Sequence, residues 1–293
     1  MQLLNEYINY IKSVRKLTAN TVNSYFIDIK KYLAYIENKN IDLFDSTEND
    51  IISYIIELEK IDVSASTISR SISSIKSFYE YLFLNRYIDW NVSKNIKKPK
   101  IEKKEIDILT EEEIEALLNF DELKNPKNIR DKAIFEVLYG TGMKVTELIE
   151  LELEDVNIEL GYICCKSGKY PRVIPLAKTT SKYIDKYLRE SRCEILKSNY
   201  GEKALFISSN ESKFTRQGLW KLIKKHAHKA NINKNINPTI LRNSFAIHLI
   251  NQGTNIAVVS KILGNTNLSS LQNYLNCIDK NIRQELKEKH PRK

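Results

Sequence analysis

The sequence predicts a mainly α-helical protein of two domains, an N-terminal helical domain and a C-terminal, mostly helical domain with a small antiparallel sheet. Three observations lead there. Apolar residues recur at helical spacing along most of the chain. A charged break containing Pro99 interrupts that pattern. One stretch, Tyr162 to Leu176, alternates with a period of two instead. The 293 residues are enough for two cores, and 42% hydrophobic residues can fill them. With 8 glycines and 6 prolines, long irregular structure is not expected.

The elements follow in order. Leu3, Leu4, Tyr7, Ile8 and Ile11 mark a first helix. Thr18 to Ile36 continues as a second, through Val22, Tyr25, Phe26, Ile29 and Leu33. Thr47 caps a third, because acids follow it in the first turn. Ser66 to Asn85 is a fourth, with Ile68, Ile72, Ile75, Phe78, Tyr79 and Leu82 as its apolar stripe. Its other face mixes small hydroxyls with Arg70 and Lys76, which suits either a phosphate backbone or plain solvent. These helices make a domain over residues 1–95. Residues 96–108 form the linker, and residues 109–293 the second domain. There Thr110 caps a helix carrying Ile114, Leu117 and Leu118. Residues 128–139, 178–198 and 215–231 are helical, and Pro238 precedes the helix that bears Arg242. Ser167-Gly168-Lys169 turns the hairpin between the two alternating strands.

Charge is uneven. Residues 197–293 carry 17 Lys and Arg against 5 Asp and Glu, a net of +12, whereas residues 1–196 sum to −3. A basic last third points to a polyanion such as double-stranded DNA. No apolar run is long enough to span a membrane, and the N-terminus does not read as a signal peptide. Cys164, Cys165, Cys193 and Cys277 have no metal-ligand spacing and are expected to be buried thiols in a reducing cytoplasm. His248 is expected to be structural; His226 and His228 are expected at the surface.

Specific segments then carry a resemblance. Thr67-Ile68-Ser69-Arg70, Leu138-Tyr139-Gly140-Thr141-Gly142-Met143-Lys144-Val145-Thr146-Glu147-Leu148, Arg172-Val173-Ile174-Pro175-Leu176, Thr239-Ile240-Leu241-Arg242, Leu263-Gly264-Asn265 and Gln272-Asn273-Tyr274 stand in order along the whole chain. Together they resemble the Xer-type tyrosine recombinases of the phage integrase family. The resemblance implies a core-binding domain followed by a catalytic domain, the two clamping duplex DNA. It also implies strand cleavage and rejoining without metal or cofactor, in a homo- or hetero-tetramer with another tyrosine recombinase. Ile278 to Lys293 is then either an element exchanged between protomers or a frayed tail.

In this chemistry a tyrosine oxygen attacks the scissile phosphate and fixed donors hold the developing charge. By the resemblance Tyr274 is the nucleophile and Arg242 the second arginine. Lys144 holds the place of the first arginine, which keeps the charge but loses the bidentate fork. Thr239 and Asn265 stand where histidines are expected. The hairpin lysine falls at Ser167, flanked by Lys166 and Lys169, with Lys169 preferred as the acid for the leaving group. Arg70, Lys76, Lys166, Arg172, Arg216 and Lys221 are the candidate DNA contacts.

Overall fold

The computed structural model describes residues 2–99, 106–120, 124–166, 171–199, 201–234 and 236–264. The chain divides into two compact units, Met1–Lys104 and Glu105–Lys293.

The first unit holds α1 (Gln2–Ser13), α2 (Ala19–Asn38), α3 (Glu48–Lys60) and α4 (Ala65–Leu84). Each start has a local cause. The Thr18 hydroxyl accepts the Thr21 N–H at 3.3 Å, the Thr47 N–H donates to Asp50 at 2.8 Å, and the Ser64 hydroxyl accepts the Thr67 N–H at 3.4 Å. The stripe expected on α4 is buried against Tyr7, Ile11, Ile29, Tyr32, Ile36 and Ile51. Each such aliphatic side chain contributes about 1.5–3 kcal/mol on burial. Tyr79 reaches the hydroxyls of both Tyr32 and Ser46, so its phenol is satisfied inside the core.

The second unit holds α5 (Glu111–Leu118), α6 (Pro126–Thr141), α7 (Val145–Ile149), β1 (Val156–Asn157), β2 (Tyr162–Cys165), β3 (Arg172–Pro175), α8 (Lys178–Glu190), α9 (Arg192–Ile195), α10 (Arg216–Lys229), α11 (Pro238–Asn251) and α12 (Ile256–Leu263). The strands form one antiparallel sheet in the order β1-β2-β3, with Ile163 opposite Ile174 and Cys165 opposite Arg172. The helix expected over 178–198 breaks at Ser191, whose hydroxyl donates to the Pro126 carbonyl at 2.6 Å.

α6 is the axis of this unit and is buried on every side. Its charged residues are therefore paired. Arg130 donates to Asp131 at 2.8 and 2.6 Å, and Lys132 meets Glu136 at 2.6 Å and the Leu118 carbonyl at 2.6 Å. The expected linker has docked ends. Ile96 is buried in the first core, while Ile106 and Ile108 pack beside Phe245 and Val259 in the second. The Leu109 N–H donates to the Ser244 hydroxyl at 2.8 Å, which fixes the entry into the second unit on α11.

Two expectations are corrected. His226 is buried rather than at the surface. It lies 3.3 Å from Asp131 and its ring packs on Phe120 and Phe135, because its place on α10 continues the inward face of Leu219 and Ile223. Among the described cysteines only Cys165 is fully buried. Cys164 is half-buried on the other side of β2, and Cys193 is exposed because Arg192 takes the inward position of that turn.

α6 stops at Gly142, which adopts φ +59°. A Cβ there would press into the Phe245 ring and the Leu263 side chain. Left-handed backbone and overpacking together give Gly142→Ala an expected loss of about 2–5 kcal/mol. Urea unfolding followed by Trp220 fluorescence in a Trp90→Phe background reads this loss in the second unit alone.

Candidate active site

Three helices begin around one cavity of about 860 Å3. α7 brings Lys144, Val145 and Thr146; α10 brings Arg216, Gln217 and Trp220; α11 brings Asn237, Pro238, Thr239 and Arg242. The starts are fixed by capping. Asn237 accepts the N–H groups of Thr239 and Ile240 at 2.9 and 3.1 Å, with Pro238 pre-set for the first helical position. The Thr215 hydroxyl accepts the Gly218 N–H at 3.0 Å. Each longer helix presents the positive end of its dipole, about half a unit charge, to the cavity. A concavity of this kind takes anions.

Arg242 is 8% exposed, and its guanidinium plane is set by two main-chain acceptors. Nη1 donates to the Gly142 carbonyl and Nη2 to the Leu263 carbonyl, both at 2.8 Å. These carbonyls lie at the C-terminal ends of α6 and α12, where helix dipoles favour a cation. Charged hydrogen bonds of this type contribute about 1.5–3 kcal/mol each.

Behind the cavity, Glu147 and Arg172 form a two-pronged ion pair with both contacts at 2.9 Å. Glu147 Oε2 also accepts the Lys144 N–H at 2.7 Å. Burial alone would raise the Glu147 pKa. The Arg172 and Lys144 donors and the charges of Arg172 and Arg242 outweigh it and hold the carboxyl below its usual range. Burial likewise opposes the Arg172 charge, and Glu147 raises its pKa in spite of that.

The structure gathers Lys144, Thr239, Arg242 and Arg216 at one cavity, with Lys144, Thr239 and Arg216 exposed on its walls. Lys221 is exposed one turn further along α10. Lys169, Asn265 and Tyr274, with Ser167, lie outside the described residues. Three of the expected DNA contacts are engaged by partners within their own unit. Arg172 faces inward because it shares a face of β3 with buried Ile174. Lys76 is half-buried and donates to the Ile96 carbonyl at 2.8 Å. Lys166 is held by Glu154 and Asp155 at 2.6 and 2.7 Å, which raise its pKa.

Arg70 grips the buried Asp28 with two contacts of 2.9 Å and remains half-exposed at a groove between α2 and α4. That groove, about 450 Å3, is lined by Asn20, Thr21, Ser24, Tyr25, Ser66, Ser69, Arg70 and Ser73. Its α2 wall was not singled out from the sequence, although Thr21 and Ser24 lie off the apolar stripe of that helix. Gln217 and Trp220 also escaped notice, and Glu147 was read only as part of its motif. Thr215, a capping residue one position before Arg216, is the signal that marks α10 as starting there.

The lowered Glu147 pKa has a defined sign. Its contribution to stability is complete above the unfolded value of about 4.3 and is lost as pH falls through the lower folded-state value. The Glu147→Gln protein should therefore lose less stability than the parent between pH 5 and 3 (an interval of about two units around that value), in chemical unfolding at stepped pH.

Comparison with known proteins places both units. The phage integrase family matches residues 107–280, and the phage integrase N-terminal SAM-like domain matches residues 4–85. The tyrosine recombinase XerD of Staphylococcus haemolyticus is 37% identical over 292 residues, spanning 99% of this chain and 99% of that protein. Two solved structures share the fold. The XerH site-specific recombinase bound to palindromic difH substrate gives a TM-score of 0.77 at 20% identity, over 98% of this chain and 85% of that one. A lambda integrase dimer bound to a COC′ core site gives 0.72 at 17% identity, over 93% of this chain and 94% of that one.

Proposed function

The chain belongs to the phage integrase family of tyrosine recombinases, and we propose that its second unit cuts and rejoins duplex DNA at specific sites through a 3′-phosphotyrosine. The observation that carries this reading is the placement of Arg242, Lys144 and Thr239 on one cavity ringed by the N-termini of α10 and α11.

In the proposed step the Tyr274 oxygen bonds to the scissile phosphorus and the bond to the 5′ oxygen breaks. The tyrosine proton is lost to solvent, and a hairpin lysine, Lys169 by preference, protonates the departing 5′ oxygen. Rejoining is the reverse attack by a 5′ hydroxyl, and it needs no other energy source because the phosphodiester is conserved as the tyrosyl ester. Arg242 suits the pentavalent charge because its fork is already immobilised by two carbonyls. Lys144 supplies a second positive charge without a fork, Thr239 a neutral hydroxyl donor, and Asn265 an amide donor.

Arg216, Gln217 and Lys221 at the start of α10 would read or flank the duplex beside the cut. The α2–α4 groove of the first unit, with Arg70 at its edge, would follow the backbone with small hydroxyls. Assembly is proposed as a tetramer on paired sites, with copies of this chain or with a second tyrosine recombinase. The site of action is proposed to be the cytoplasm; no described helix is long and apolar enough to cross a membrane.

A second reading is favoured by Lys144 and Thr239 themselves. It is a recombinase homologue that binds DNA, or modulates a partner, with weakened chemistry.

One experiment separates the two. Duplexes retained by the protein from a genomic pool are nicked so that a cleaved fragment escapes, and denaturant-resistant protein–DNA adducts are sought. The first reading expects adduct from the parent protein, none from Tyr274→Phe, and a rate lower by about 10²–10³ for Arg242→Ala. Retained DNA without adduct supports the second reading. Lys144→Arg is expected to raise the cleavage rate, measured on the same nicked substrate.

A further inference from the structure

The hairpin arginine is not consumed by the proposed chemistry, although it is heavily engaged beside the cavity. Arg172 Nε donates to the Ile262 carbonyl at 2.6 Å, its Nη1 and Nη2 each donate to Glu147 at 2.9 Å, and Nη1 lies 3.4 Å from Cys165 Sγ. Gly264 lies against the same group: a Cβ there would stand 2.9 Å from Nη1. The neighbouring carbonyl, Leu263, is one of the two that hold Arg242. The carboxylate that Arg172 grips is also the acceptor for the Lys144 N–H.

We infer that Arg172 is a positioning residue that couples β3, the start of α7 and the last turn of α12, so that the hairpin, Lys144 and Arg242 keep one relative placement. The inference rests on the proposed strand cleavage only for its catalytic consequence; the coupling itself stands on the contacts. A lysine could hold Glu147 but could not reach Glu147 and the Ile262 carbonyl with separate prongs of a rigid plane. The guanidinium therefore does two things at once. It neutralises a buried carboxylate, and it fixes the last turn of α12. An ion pair that served stability alone would not need the contact to α12.

The test uses the full chain with Arg172→Met and Arg172→Lys, the second as the variant that keeps the charge should the first fail to fold. Hydrogen–deuterium exchange is followed over residues 144–149, 172–176 and 256–264. Coupling predicts faster exchange in all three segments, by about tenfold or more, with α8 and α10 unchanged. Exchange that rises evenly over the whole unit, or only in β3, overturns it.

On nicked duplex, adduct formation by Arg172→Met should slow by about 10²-fold while DNA affinity changes by less than about threefold, and Arg172→Lys should fall between. Equal losses in binding and cleavage overturn the positioning role. If the parent protein forms no adduct, it is the strand-cleavage reading that fails, and the exchange pattern still decides the coupling.

Discussion

The guanidinium of Arg242 stands where two helices end and two others begin, and the site depends on that placement. The C-terminal carbonyls of α6 and α12 hold its plane from behind, while α10 and α11 open towards the cavity it lines. A cation is favoured by the first pair of ends, and an anion in front of it by the second. Both carbonyls are presented by helices that stop at a glycine in left-handed conformation, Gly142 and Gly264. A side chain at Gly142 would push on Phe245 and Leu263, and one at Gly264 would push on Arg172. The two chain reversals therefore belong to the geometry of the anion site as much as the arginine does.

Much of this was legible in the residues. Periodicity placed the helices, Thr47 and Thr110 placed two of their starts, and the order of short motifs put Lys144, Thr239 and Arg242 in one functional set. Two inward faces went unread. Arg172 shares a face of β3 with Ile174, and His226 shares one of α10 with Leu219 and Ile223. Alternation on β3 would have revealed the first, and helical spacing on α10 the second. The ring of helix N-termini is another matter. It arises from how α7, α10 and α11 pack around α6, and no local pattern encodes that convergence. The short helix α7 and the strand β1 escaped notice because so few residues cannot display a period.

Charged groups in the interior give the second unit a specific alignment. Arg130, Asp131, Lys132 and Glu136 sit on one buried helix; Arg130 meets the Ile207 carbonyl, Asp131 meets His226, Lys132 meets the Leu118 carbonyl, and Glu136 meets Lys132. An apolar helix could slide or rotate with little penalty. This one cannot, because removing a single partner leaves a buried charge and typically costs about 3–5 kcal/mol. The position of Gly142, at the end of α6, inherits that rigidity.

The exposure of Lys144 and Thr239 has a consequence for how such a site changes over generations. Both line the cavity wall with their side chains in solvent, and the contacts that hold the local backbone come from Glu147 and Asn237. Replacing either side chain leaves the core and the caps untouched, and substitutions of that kind usually alter stability by less than about 0.5 kcal/mol. Selection for folding therefore cannot see these two positions, and only selection for chemistry can. A lineage relieved of that second pressure would lose its donors one by one while its architecture, its buried arginine and its grip on polyanions persisted unchanged.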